Sequence, residues 1–255
     1  MLEKSISGMM RALLVRGMLV GLLAGLLGFG VAWMVGEPQV ARAIAAEGHQ
    51  HAMAGAAPES ELVSRAVQST IGLLTGVVAY SVALGGIFAL VFAYAHGRLG
   101  RFGPRATAAL LAAGAFTVLI LAPQLKYPAN PPSIGGPDTI GFRTGLYFGM
   151  LALSAAAAVA AFSTGRSLVG RLGTWNAALA GGAAYVVAIG IVMLVLPAVN
   201  ELPHDFSAEL VWRFRLASMA IQLVVWTVLG LGFGVAAERC LAGSRHPARS
   251  TRLAG

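Results

Sequence analysis

The chain has 255 residues, of which 57% are hydrophobic and only 11% charged, with a mean hydropathy of +0.77. Because a soluble domain carries about 25% charged residues, this chain has too few polar side chains to cover a surface that faces water. The composition therefore indicates an integral membrane protein. No ten-residue segments of alternating polarity recur, so we expect helices, which satisfy their own backbone hydrogen bonds in lipid.

Six apolar stretches are long enough to cross about 30 Å of hydrocarbon. They lie near residues 12–36, 70–96, 106–125, 145–163, 175–199 and 216–237. The sequence thus predicts an all-α, polytopic bundle of about six transmembrane helices in one domain, 1–240, followed by a basic tail, 241–255. The first stretch is longer than the apolar part of a signal peptide. It also has Gly17, Gly21 and Gly25 at a spacing of four, which is typical of a retained, closely packed helix.

Basic residues are concentrated on one side of these six spans. That side, which holds both termini, carries 12 of the 18 basic residues: Lys4, Arg11, Arg16, Arg98, Arg101, Arg105, Arg166, Arg171, Arg239, Arg245, Arg249 and Arg252. An excess of Lys and Arg marks the cytoplasmic side, so we predict that both termini are cytoplasmic. The isoelectric point of about 10.6 follows from this topology and from attraction to anionic lipid. It gives no reason to expect a nucleic-acid partner.

The spans form three successive hairpins with similar outward loops, which suggests an internal repeat. The alternative is that the three two-helix units became similar by convergence. Each loop ends in an acid followed by arginine: Glu61 and Arg65, Asp138 and Arg143, Glu209 and Arg213. Such an acid can simply cap a helix and pair with the arginine. However, Arg213, Arg215 and Gln222 enter an apolar span, where charged groups usually face a bundle interior or a water-filled path. Arg215 can also extend to the interface.

Motifs for soluble enzyme chemistry are absent from the sequence. There is no GxxxxGK[ST], no HExxH and no GxSxG, so we expect neither enzyme activity nor a permanently bound cofactor. A single cysteine, Cys240, provides neither an intrachain disulfide nor a four-thiolate zinc site.

The first outward loop contains the histidine-rich motif EGHQHAM. In an extended backbone, residues two apart point the same way, so four side chains can converge on one ion: Glu47, His49, His51 and Met53. Imidazole and carboxylate suit Co²⁺, Ni²⁺ or Zn²⁺. The alternative is a solvated loop without metal.

The third outward loop, NELPHDF, offers a second set of oxygen and nitrogen ligands: Asn200, Glu201, His204 and Asp205. We predict an outer gate in which Glu201, His204 and Asp205 hold a partly dehydrated ion. In this hypothesis Arg213 and Arg215 hold the acids in place when the gate is empty. The alternative is that Asp205 merely caps the sixth span.

Two long loop motifs carry a family resemblance. LKYPANPPSIGGPDTIGFRTG and LPAVNELPHDFSAELVWRFRLASMAIQ closely resemble the CbtA-type predicted cobalt transporter subunit family, and the similarity extends from about Arg11 to Arg239. Lys126, Tyr127 and Asn130 match the first signature, and Asn200, Glu201, Arg213 and Arg215 match the second. Together with residues from the loop pattern, they give a predicted transport path: Lys126, Tyr127, Asn130, Asp138, Arg143, Asn200, Glu209, Arg213, Arg215 and Gln222.

The resemblance implies a bacterial inner-membrane protein that takes up cobalt for cobalamin synthesis, with Co²⁺ as its substrate. It also implies a small one-span partner subunit with a histidine-containing tail (CbtB-type), and a homo-oligomer is a further option. A nickel or corrinoid transporter and a non-transporting scaffold for the small partner are the alternatives.

Overall fold

The computed structural model describes residues 2–53, 63–132, 134–203 and 206–243, and most of these residues are helical, with no strand among them. The α-helices are α1 (Leu2–Val31), α2 (Glu37–Met53), α3 (Arg65–Val67), α4 (Leu73–Ala95), α5 (Pro104–Phe116), α6 (Ala122–Lys126), α7 (Ile140–Val195) and α8 (Ala208–Gly243). Three π-helical turns, Ala32–Gly36, Gln68–Gly72 and Thr117–Leu121, join α1 to α2, α3 to α4 and α5 to α6. A 3₁₀ turn, Pro137–Thr139, precedes α7.

Within the described ranges, five continuous helical segments are long and apolar enough to cross a membrane: Ser7–Gly48, Arg65–Ala95, Pro104–Lys126, Ile140–Val195 and Ala208–Ala242. Between 11% and 33% of each apolar window is buried within the protein, so most of these side chains are left to contact lipid. The predicted class of an all-α membrane protein is confirmed.

The predicted fourth and fifth spans are the two limbs of α7. Gly173, at φ 74° and ψ 166°, departs from helical geometry within the 56-residue α7. In a straight helix Gly165 and Gly181 would stand about 24 Å apart. Instead, a methyl group at Gly181 would lie 3.4 Å from the Cα atom of Gly165. Helix α7 is therefore a tight hairpin, and glycine supplies the positive φ at its turn.

The structure corrects the predicted extended loop around His49 and His51, because the backbone is helical through Met53. The segment 37–53 is rich in alanine, glutamate and glutamine, which are good helix formers. Its hydropathy is low, so an analysis of apolar stretches does not show that the helix of the first span continues through it. Pro38 is tolerated directly after a π-helical turn, where the regular hydrogen-bond ladder is already interrupted. In a helix, residues two apart point about 200° apart, so the alternating geometry does not apply.

The chain divides into two compact units. The first comprises Met1–Ala41, Gly48–Gly114 and Leu216–Gly255, and the second comprises Arg42–Glu47 and Ala115–Arg215. In the first unit, the predicted glycine stripe is a packing surface: Gly17 lies against Gly85, Gly21 against Ser81, and Gly25 against Val78. The core of this unit also contains the side chains of α4 and α8, including Phe88 and Phe92, whose ring centroids lie 5.5 Å and 5.1 Å from that of Phe233.

The second unit is centred on a buried cluster of Ala122, Met150 and Ile189. The Ser154 hydroxyl, which is fully buried on α7, lies 2.7 Å from the carbonyl oxygen of Val118 and 2.9 Å from the Tyr185 hydroxyl. Val118 belongs to a π-helical turn, where a backbone carbonyl can be released from the regular ladder to accept a side-chain donor. This bond fixes both limbs of α7 against the end of the preceding span.

Candidate functional site

The end of α6 and the residue after it are fastened to the last turn of α7 and to the segment that follows it. Lys126 Nζ donates to the carbonyl oxygen of Met193 at 2.7 Å, and the Tyr127 hydroxyl donates to that of Pro197 at 2.8 Å. Desolvation raises the pKa of the Tyr127 phenol above its usual 10.0, so the donor proton is retained at physiological pH. The proline- and glycine-rich loop is therefore anchored at its start, at one end of the second unit.

Arg143 and Glu201 form an ion pair that closes the other side of this end. Arg143 Nε lies 3.2 Å from Glu201 Oε2, and the two side chains are 24% and 22% exposed. The guanidinium also donates to the carbonyl oxygens of Ile134 at 3.3 Å and Gly136 at 3.4 Å. Gly135, at φ 97°, lies so close to this pair that a methyl group there would overlap the Arg143 guanidinium.

The partner of Arg143 differs from the pattern in the sequence, where Asp138 precedes it by five residues. Asp138 instead lies in the 3₁₀ turn and is exposed. In the first unit, too, the arginine pairs with an acid far away in sequence: Arg65 pairs with Glu37, 28 residues before it. Glu61, its predicted partner, lies outside the described residues. Only Glu209 and Arg213 form the predicted pair, at 2.7 Å, and it is an exposed i,i+4 contact.

Arg215 lies on α8 and contacts the first loop signature. Its Nε donates to the carbonyl oxygen of Ala129 at 3.3 Å, and its Nη2 donates to Asn130 Oδ1 at 2.8 Å. Among the residues that the structure describes, no carboxylate forms an ion pair with Arg215. The prediction that Arg213 and Arg215 hold Glu201 is therefore wrong: Arg143 holds it, and Arg215 holds Asn130.

These contacts surround a cavity of about 500 Å³ in the second unit. It is lined by Tyr127, Pro128, Asn130, Ile134, Ile140, Arg143, Thr144, Tyr147, Phe148, Val199 and Arg215. Four residues of the predicted path thus line one cavity: Tyr127, Asn130, Arg143 and Arg215. Sequence reasoning missed Thr144 and Tyr147, although Tyr147 lies one helical turn after Arg143 and on the same face.

The remaining predicted site residues that the structure describes do not line this cavity. Asn200 is exposed, and Gln222 belongs to the first unit, where its Oε1 atom is buried without a hydrogen-bond partner. His204 and Asp205 lie outside the described residues, as do the side chains of His49 and His51. Within the described part of the chain, no three His, Cys, Asp or Glu residues are close enough to hold a metal ion. Ligation by these histidines and acids stays a prediction.

Comparison with known proteins gives one match that covers most of the chain. The model of a family described as "Probable cobalt transporter subunit (CbtA)" matches residues 10–238. The chain belongs to the CbtA family. All the cavity residues of this CbtA chain lie inside the matched range, as do all five helical segments for most of their length. No curated protein and no solved structure matches it.

Proposed function

We propose that this CbtA chain is the subunit that carries a divalent transition-metal cation, cobalt first, into the cell across the bacterial cytoplasmic membrane. The observation that carries the proposal is the family match over residues 10–238 in a chain with five membrane-length helical segments. The family is one of transporter subunits, so transport and not catalysis is the expected activity.

Glu201 is the described acid best suited to receive the ion. Its carboxylate is only 22% exposed and is neutralised by Arg143, at 3.2 Å. A divalent cation carries twice the charge of the guanidinium, so it can compete for this carboxylate and release Arg143. His204 and Asp205 follow Glu201 within four residues and would complete the ligand set.

The membrane potential supplies enough energy for uptake. A divalent cation that enters the cell gains about 4.6 kcal/mol per 100 mV. The sequence contains no GxxxxGK[ST] motif for ATP binding. The potential alone is sufficient to drive uptake, and a small one-span histidine-containing partner would receive or deliver the ion.

Uptake of radiolabelled Co²⁺ tests this function most directly. Cells that express the chain with its partner should accumulate more label than cells with an empty vector, and unlabelled Co²⁺ should compete better than Ni²⁺. Stronger competition by Ni²⁺ would reassign the substrate. Equal accumulation with and without the chain would leave it as a scaffold.

We also propose that both termini and the turn between α4 and α5 are cytoplasmic, because 12 of the 18 basic residues fall on that side. In a Cys240→Ala background, Arg101→Cys and Ser250→Cys should react with a membrane-impermeant maleimide only after the cells are opened. Leu202→Cys, at a position where leucine is 37% exposed, should react in intact cells. Labelling of all three from outside would reject this topology.

A further inference from the structure

The charges around the cavity do not suit a bare cation. Two arginines line it, and among the residues that the structure describes no carboxylate does. Glu201 compensates Arg143, whereas the described contacts of Arg215 are with a backbone carbonyl and an amide oxygen. These residues give the cavity one uncompensated positive charge. A free divalent cation is repelled by that charge, and an anion is attracted to it.

Each of the two guanidinium groups also has N–H donors that its described hydrogen bonds do not use and that a ligand can accept from. A guanidinium has five N–H donors. Arg143 uses two of them in hydrogen bonds, with the carbonyl oxygens of Ile134 and Gly136, and its contact with Glu201 is an ion pair. Arg215 also uses two, with Ala129 and Asn130. Planar N–H pairs of this kind match the geometry of a carboxylate.

The size and the remaining walls of the cavity indicate a small organic molecule. Its volume of about 500 Å³ lies in the range of sites for small organic ligands, about 300–1,000 Å³, and exceeds what a single ion needs. Tyr147 and Phe148 supply aromatic surface, while Thr144 and Tyr127 supply hydroxyl groups. Apolar walls with a few charged and polar groups are typical of sites for organic acids.

We propose that this cavity binds a small polycarboxylate, so that the metal arrives as an anionic chelate and not as the bare ion. The inference rests on the proposed function and names the form of its substrate. Arg215 holds a carboxylate of the chelator in the cavity. The metal of the bound complex is then presented near the Arg143–Glu201 pair, where Glu201 can replace a chelator oxygen.

Binding to the purified full-length chain tests the inference, with citrate as the probe. Isothermal titration in detergent, without added lipid, should detect binding of citrate and of Co²⁺–citrate, and weaker binding of CoCl₂ in a non-chelating buffer. Arg215→Gln should weaken binding of both citrate species at least about tenfold, as expected for loss of a charged partner, and Arg215→Lys should retain part of it. Arg105→Gln is the matched control, because Arg105 is exposed, pairs with Glu238 and does not line the cavity.

Asn130→Ala separates the charge of Arg215 from its role in holding the loop. This variant removes the 2.8 Å contact and keeps the guanidinium. If Arg215 acts by charge, Asn130→Ala should weaken citrate binding less than Arg215→Gln does. Equal losses in the two variants, or no citrate binding by the unaltered chain, would overturn the inference. A phosphatidylglycerol-containing nanodisc that abolishes citrate binding would assign the cavity to a lipid headgroup, which also overturns it.

Transport measurements separate this inference from the proposed function. Citrate in slight excess over labelled cobalt should maintain or raise uptake, and Arg215→Gln should remove the citrate-dependent part. Uptake that falls in proportion to the free Co²⁺ concentration would overturn the chelate while leaving cobalt transport intact. Absence of uptake in both forms would reject the proposed function, whereas Arg215-dependent citrate binding would still support the anion site.

Discussion

Replacing Glu201 by glutamine should lower Co²⁺ uptake by roughly tenfold or more, the size of loss seen when a metal site loses a key partner. The change removes the negative charge that a divalent cation needs and keeps the shape of the side chain. Glutamine is nearly isosteric with glutamate, so it keeps the contact with Arg143 Nε, which lies 3.2 Å from the present carboxylate, but without the charge. The fold should therefore lose only about 1 kcal/mol, the upper end of the range for a single ion pair that is not fully buried.

The measurement compares the initial rate of uptake with the amount of protein in the membrane. Glu238→Gln is a matched control, because Glu238 also pairs with an arginine but its side chain is 42% exposed and it belongs to no predicted site. The control should transport normally. Asp205→Asn should resemble Glu201→Gln if Asp205 is the second acidic ligand. If uptake by Glu201→Gln falls only as far as protein abundance falls, Glu201 is a structural residue and the gate is wrong.

The long apolar stretches were sufficient to predict the membrane-spanning part of the fold. Four of the predicted spans match separate helical segments, and the other two match the limbs of α7 on either side of Gly173. The continuation of the first span through Met53 was not predictable from hydropathy, because 37–53 has good helix formers and few apolar residues. Helix propensity predicts a helix of this kind, whereas hydropathy does not.

The candidate site was only partly predictable for a different reason. The sequence pointed to Tyr127, Asn130, Arg143 and Arg215, which do line one cavity. It could not identify their contacts, since Arg215 meets Asn130 across 85 residues. Local spacing favours pairs within one helical turn, as in Glu209 and Arg213, and this rule holds where the pair is exposed. Where loops pack together, the partner is set by tertiary structure.

The glycine stripe of the first unit leads to a second large expected effect. Gly85→Ala should destabilise the protein by about 2–3 kcal/mol, the upper part of the range for an overpacked contact. Helix α4 lies so close to α1 that the new methyl group would overlap the carbonyl oxygen of Gly17. That neighbour is backbone, so no side-chain rotation relieves the overlap, and the two helices must separate. The midpoint of thermal unfolding in detergent should fall clearly, and so should the amount of protein in the membrane.

Gly76→Ala, on the same helix, should act in the opposite direction. Nothing lies within 4 Å of a methyl group at Gly76, whereas Gly85 is buried. Alanine stabilises a helix interior by roughly 0.5–1 kcal/mol relative to glycine, because it restricts the unfolded backbone. Glycine to alanine therefore gives the same gain in helix propensity at position 76 and at position 85. The two variants should differ in stability only because α1 lies against Gly85. A midpoint for Gly85→Ala equal to or above that of Gly76→Ala would show that α1 and α4 do not meet through glycine backbones. A lower midpoint for Gly85→Ala alone would place the close contact at Gly17 and Gly85, since propensity predicts no difference between the two variants.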